Sequence, residues 1–365
     1  MKTFKRTFAL FVATILFSAV AFAAPKREYV DATTLTVINK AHNDGLPLRR
    51  VDIEKFDIPN SAKKPLTNST GLAVVFSTNS CSISARWTTA SKSLGANMTP
   101  IFHSGLDIYI KRDGEWVFAG VARPKTKGVT EHEYTMVKRM AEGEKECLVY
   151  LPMFNTLQSL EIGVDEGATI KPIPSPFKHK IIFVGSSLTH GASASRPGAC
   201  YVARFGRMLN AETPNIGLSG KCRLDDFFAN IVCEAEADAY IFDTFSNSTK
   251  AMIEERLYNF VKRIATAHPD KPLIFLQTIK RDVGTFDLGA RRRNDAQRAA
   301  ACALMPGIRK EFPNVYFLDP GFVLGDDGEA TVDGTHLNDL GVQRTLENIV
   351  PKVKKILKKY GIKVK

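Results

Sequence analysis

Ser187, in the run Gly185-Ser186-Ser187-Leu188-Thr189-His190-Gly191, and the pair Asp333 and His336, in Asp333-Gly334-Thr335-His336, are the residues best spaced for chemistry. The serine follows the apolar run 181–184, so it stands where a strand stops and a helix begins. A hydroxyl there can enter a crevice while the helix dipole and free backbone N–H groups favour negative charge. The same place also suits a helix N-cap, so Ser187 reads either as a nucleophile or as a cap. A serine nucleophile needs a base, and the base needs an acid to fix its tautomer. An aspartate three residues before a histidine on a turn supplies both. His190 is a rival base, but no aspartate is spaced to orient it, so it is expected to line the pocket. Arg196 and Gln277 could contact polar groups of a substrate, although Arg196 equally suits pairing with a surface acid.

The elements that must carry these residues fall into two halves. Apolar runs at 181–184, 239–242, 273–276 and 315–318 suit parallel strands covered on both faces. Helical segments are expected between and after them, near 201–209, 253–267, 294–310 and 339–359. This alternation predicts a doubly wound α/β/α sheet, whose ligands bind beyond the carboxyl ends of the strands. Ser187 and the Asp333–His336 turn would then open on the same crevice.

Before residue 174 the rhythm is that of short strands. Cys81, Ile83, Ala85 and Trp87 alternate with polar residues, as do Leu106, Ile108 and Ile110, and Asp113-Gly114 makes a hairpin turn. Runs at 72–76, 147–151 and 160–164 complete a β-sandwich or jelly roll. Pro172, Pro174 and Pro176 stiffen the connector. The expected organisation is a signal peptide over 1–24, an all-β domain over 25–173 and an α/β domain over 174–365. Trp87 and Trp116 could stack on sugars, but their alternating positions favour the core.

Residues 1–24 show Lys2, Lys5 and Arg6, an apolar run and Ala21-Phe22-Ala23, the pattern of a cleaved secretory signal. The expected location is periplasmic or secreted, with no membrane insertion of the mature chain. The net charge of +12 shrinks to +2 once that segment and the seven lysines of 352–365 are set aside, which disfavours a nucleic-acid partner. The six cysteines form no C-x-x-C and no zinc spacing, and the remaining histidines have no ligating partners in sequence, so no metal or cofactor is expected. Neither cysteine pairing nor oligomeric state follows from these residues.

Gly-Ser-Ser-Leu-Thr-x-Gly after the first α/β strand, together with the late Asp-x-x-His, resembles the SGNH (GDSL-type) hydrolase family over roughly 177–360. The resemblance implies a flavodoxin-like sheet and a metal-independent esterase or acylhydrolase. It implies Ser187 as nucleophile, His336 as base and Asp333 as its acid. It further implies an oxyanion hole made by the Ser187 N–H, the Gly220 N–H and the Asn247 side chain. The chain departs from the family pattern at Ser186, where aspartate is usual, and at Phe245, where glycine is usual and a phenyl ring could narrow the acyl pocket. The region from Tyr29 onward, with Gly105-Leu106-Asp107, resembles the β-sandwich domain of a two-domain subgroup. The expected substrate is an acylated small molecule or polysaccharide, with carbohydrate deacetylation favoured. A lipid or simple aryl or alkyl ester, or a carbohydrate-binding protein without activity, are the alternatives.

Overall fold

The computed structural model describes residues 26–92, 94–125 and 128–365; the expected signal peptide lies outside them. Ten strands make the first half: β1 (Arg27–Asp31), β2 (Thr36–Ile38), β3 (Ala73–Thr78), β4 (Ile83–Thr89), β5 (Leu106–Arg112), β6 (Glu115–Ala122), β7 (Glu131–Val137), β8 (Lys145–Tyr150), β9 (Leu157–Asp165) and β10 (Ile170–Pro172). They form two antiparallel sheets, ordered β1-β9-β4-β7 and β10-β3-β8-β5-β6, with β2 also paired to β3. Asp113 (φ 53°) and Gly114 (φ 80°) turn β5 into β6, the two positive φ values that a type I′ hairpin requires.

The period of two along a strand explains why β3 is buried throughout. Val74 and Phe76 point between the two sheets, with Trp87, Ile108 and Val149. Ala73 and Val75 point the other way, into a second core shared with Tyr109, Leu148, Tyr150 and the α/β half. Around β3, β8 and the start of β5 this sheet therefore has no solvent face, and there it seats the rest of the chain.

The second half contains β11 (His179–Gly185), β12 (Ala211–Glu212), β13 (Asn215–Gly217), β14 (Ala239–Asp243), β15 (Leu273–Leu276) and β16 (Val315–Leu318), all paired in parallel. β12 and β13 pair with successive stretches of β11, so they are one edge strand interrupted at Thr213-Pro214. Counted that way the order is 2-1-3-4-5, a flavodoxin-like sheet. Ile181 and Phe183 face helices Tyr201–Leu209 and Asp339–Lys359, whereas Ile182 and Val184 face Asp226–Cys233, Lys250–Ala267 and Leu288–Glu311. The apolar runs are thus covered on both faces, as their composition requires.

Several elements differ from expectation, helix Asp226–Cys233 among them, which was not foreseen. The helix expected near 294–310 starts earlier, at Leu288, because the Asp287 side chain accepts from the Ala290 N–H at 2.9 Å and caps it there. Within the first half, residues 39–66 leave the sandwich, and Val51, Phe56, Ile58 and Leu66 pack beside Ile182, Ile216 and Phe228 of the α/β half. Up to Pro59 this stretch is irregular and helix Asn60–Leu66 has only seven residues, so its apolar residues show too little period to reveal which sheet they cover. Among the described residues no helix is long and apolar enough to cross a membrane.

Candidate active site

β11 ends at Gly185, where an added Cβ would fall 2.3 Å from Thr189 Oγ1, and the chain turns at once into the four-residue helix Ser187–His190. Ser186 is the N-cap: its hydroxyl oxygen accepts from the Leu188 N–H at 3.1 Å. The cap role thus falls on Ser186 and leaves the Ser187 hydroxyl available. That hydroxyl lies 2.9 Å from His336 Nε2, across 149 positions of chain.

His336 reaches Ser187 from a turn built by Asp333. One carboxylate oxygen accepts the Thr335 and His336 backbone N–H groups at 3.1 and 2.8 Å, and the other lies 2.7 Å from His336 Nδ1. Gly334 makes the turn possible: its φ is +79°, and a Cβ there would meet Val283 at 2.8 Å. Partial burial pushes the Asp333 carboxyl up, but the His336 N–H, the His336 ring and the Asn97 amide outweigh it and hold it down at about 2. An ionised carboxylate accepts only, so Nδ1 carries the hydrogen and Nε2 is left with its lone pair toward Ser187.

The three groups that could receive an oxyanion sit after three adjacent strands, β11, β13 and β14. Ser187 is the first residue of its helix, and its N–H meets no acceptor among the described residues. Gly220, exposed with φ +69°, stands on the loop after β13. Asn247 donates one amide hydrogen to the Lys221 carbonyl at 2.6 Å, which fastens its side chain beside Gly220.

Four residues expected near the substrate do other work. His190 is 1% exposed and stacked on Phe154 at 3.7 Å. Its Nε2 lies 2.8 Å from the Met153 carbonyl, and its Nδ1 accepts the Ser219 N–H at 3.2 Å. Burial, helped by nearby Arg50, holds its pKa well below the usual histidine value, so it is a neutral ring that anchors the Gly220 loop. Arg196 pairs not with a surface acid but with the fully buried Asp107 at 3.2 Å, and it lies over the Phe118 ring at 4.1 Å. Phe245 does not narrow a pocket, since it is fully buried against Phe275 and Phe317. Gln277 spends its amide on the Arg298 carbonyl at 3.0 Å and the Thr278 N–H at 3.0 Å. In all four, a polar or aromatic residue near the strand ends found partners inside the protein, which sequence spacing cannot reveal. Trp87 is core, donating to the Ser104 carbonyl at 2.8 Å, and Trp116 is half-buried against Phe177.

Two residues at the site carried no sequence signal. Asp243, at the carboxyl end of β14, is buried and accepts the Ser186, Ser246 and Thr189 hydroxyls at 2.7, 2.8 and 3.3 Å. Its place at a strand end is a clue that the fold rule could have supplied. Asn97, from a loop of the sandwich half, donates to Asp333 at 3.0 Å, and nothing local marks it.

Comparison with known proteins agrees with this architecture. Residues 178–354 match the GDSL-like lipase/acylhydrolase family, and residues 27–170 match the N-terminus of SGNH-hydrolase-type esterases. A GDSL-like lipase structure from Bacteroides ovatus is 42% identical, with TM-score 0.89, covering 93% of this chain and 99% of that one. A salicylyl-acyltransferase from a tetracycline biosynthetic pathway is similar in fold at 20% identity, with TM-score 0.70 and coverage of 90% and 97%. A family two carbohydrate esterase from Cellvibrio japonicus is similar at 11% identity, with TM-score 0.60 and coverage of 92% and 99%. No curated protein sequence matches the chain. On the match of both halves and the 42% identity over nearly the whole of a relative, this chain belongs to the GDSL-like lipase/acylhydrolase family and is a carboxylic ester hydrolase.

Proposed function

We propose that the chain is an exported serine esterase that removes acyl groups, acetyl above all, from carbohydrate esters. His336 takes the proton of Ser187 as its oxygen attacks the ester carbonyl, and Asp333 stabilises the imidazolium that forms. The Ser187 N–H, the Gly220 N–H and the Asn247 amide hydrogen not given to Lys221 receive the oxyanion. Collapse of the tetrahedral intermediate breaks the ester C–O bond, and His336 returns the proton to the leaving alcohol. Water, deprotonated by His336, then attacks the acyl-enzyme, and the bond from the acyl carbon to Ser187 Oγ breaks as His336 returns the proton to that oxygen, which releases the acid. The reading is carried by the unbroken contacts from Ser187 Oγ to His336 to Asp333, at 2.9 and 2.7 Å.

The carbohydrate preference is supported by the fold shared with a carbohydrate esterase and by the sandwich packed beside the site. Export is supported by the Lys-Arg, apolar and Ala-x-Ala pattern of the first 24 residues. One observation favours a more apolar ester instead. Val332, beside Asp333, is 52% exposed, and Phe286, at the end of the turn that packs on Gly334, is 92% exposed. Acetylated polysaccharides assayed against p-nitrophenyl esters of increasing chain length separate the two. A rising kcat/KM with chain length and none on the polysaccharides would overturn the carbohydrate reading. For the mechanism, Ser187→Ala is expected to abolish both turnover and labelling by a serine-directed phosphonate; full turnover by that variant would defeat it.

A further inference from the structure

We infer that Asn97 is a positioning residue of the triad, supplying from the sandwich half the last hydrogen bond to the Asp333 carboxylate. The inference rests on the triad reading above and adds a residue to it.

A carboxylate has about four acceptor directions. At Asp333 three are taken by donors within its own turn: the Thr335 N–H at 3.1 Å, the His336 N–H at 2.8 Å and the His336 ring at 2.7 Å. The fourth is taken by Asn97 Nδ2, at 3.0 Å and 236 positions away. The amino group must be the end that faces Asp333, because the amide oxygen would repel the carboxylate. Asn97 Nδ2 also lies 3.3 Å from His336 Nδ1, but that nitrogen already gives its hydrogen to Asp333 and has no lone pair left. The Asn97 hydrogen therefore goes to the carboxylate. Local donors alone leave the carboxylate free to rotate with its turn; a donor from another sheet system pins it from outside. Because the carboxylate fixes the imidazole, it also fixes the aim of Nε2 at Ser187.

The Asn97 loop is itself tied to the segment that follows the nucleophile. The Ser193 hydroxyl donates to the Asn97 carbonyl at 2.8 Å, and the Thr99 hydroxyl donates to the Ser195 carbonyl at 2.8 Å. Ser195 in turn holds the Asp339 carboxylate through its N–H at 3.0 Å. One short loop thus touches the acid end of the triad and the chain leaving its nucleophile. The role is legible only in this geometry, since Asn97 sits in an irregular stretch far from either motif.

The test uses the full chain, with p-nitrophenyl acetate for activity and NMR titration of the His336 ring. Asn97→Ala is expected to lower kcat about tenfold, as for loss of a hydrogen bond to a charged group, with KM changed less than about twofold and the melting temperature kept. Asn97→Asp puts a second carboxylate beside the dyad and is expected to raise the His336 pKa by about one unit or more, moving the acid limb of kcat/KM to higher pH. A residue that merely packs the loop would leave that titration where it was. Wild-type kcat in Asn97→Ala, together with an unmoved His336 titration in Asn97→Asp, would overturn the inference and leave the triad standing. Failure of wild-type Ser187 to react with a phosphonate would instead remove the triad reading, while the titration would still report on Asn97.

Discussion

The hydroxyl of Ser186 lies 2.7 Å from the Asp243 carboxylate, and both groups are buried next to Ser187. Where the family pattern usually carries an acid before the serine, this chain keeps the hydroxyl and takes the acid from the neighbouring strand. Ser186 thereby bridges β14 to the first turn of helix Ser187–His190, donating to Asp243 and accepting from Leu188. Burial pushes the Asp243 carboxyl up, and the Ser186, Ser246 and Thr189 hydroxyls with Arg281 pull against it.

Ser186→Ala removes both the helix cap and one donor to a buried carboxyl, so it is expected to destabilise the fold by about 2 kcal/mol. Urea unfolding followed by fluorescence measures this. Ser186→Asp, which restores the family's usual residue, should be worse, because it sets a second carboxylate against a buried one. Unchanged stability in both would show that the bridge is idle.

His190→Phe keeps a ring against Phe154 but loses the acceptor for the Ser219 N–H. The Gly220 loop is then untied, and kcat should fall about tenfold, by analogy with a weakened oxyanion donor. The acid limb of the pH profile should not move, since His190 is neutral throughout that range. A shifted limb would mean that His190 titrates during catalysis.

Arg196→Met removes the ion pair from the buried Asp107 and leaves it with the Gly198 N–H and the Arg207 charge. Stability should drop by about 3 kcal/mol while KM stays at its wild-type value. Burial pushes the Asp107 carboxyl up from 3.8 to about 7, against the Gly198 N–H, Arg207 and Arg196. A raised carboxyl adds no penalty in acid, where folded and unfolded chains are both protonated. Wild type and variant alike therefore lose stability as pH rises from about 4 to 7, and the deficit between them should open only as pH rises through and above about 7, where the wild-type carboxyl ionises beside Arg196. Thermal unfolding across that range, with KM on p-nitrophenyl acetate, checks both parts; a raised KM with unchanged stability would restore Arg196 to the substrate.

Asp333, held down at about 2, has the opposite sign. Its contribution to stability is complete above the unfolded value near 4 and is lost as pH falls toward 2. Wild type and Asp333→Asn should differ in melting temperature by a constant amount near neutrality, and the gap should close between about pH 4 and 2. A gap that persists in acid would mean that the Asp333 charge contributes nothing.

Much of the frame was legible in the chain. The four apolar runs became β11, β14, β15 and β16, helices Tyr201–Leu209 and Asp339–Lys359 have the expected ends, and Asp113-Gly114 makes its hairpin. The Asp333–His336 turn was legible too, because its contacts span three residues. His190, Arg196 and Phe245 find their main partners on other elements, and Gln277 divides its amide between Arg298 and the adjacent Thr278, so no run of residues around them announces these contacts.

By itself the sequence determined the four apolar parallel strands, the long helices that follow them and the Asp113-Gly114 turn, and it offered a serine, a histidine and an aspartate at loop positions able to do acyl chemistry. Periodicity, caps and glycine turns act between near neighbours, so they survive in a one-dimensional reading. Only the tertiary structure decided that residues 39–66 cover the α/β sheet and that Asn97 reaches Asp333. Those depend on how two sheet systems pack against each other, and packing is settled by the surfaces that whole elements present rather than by any local run of residues.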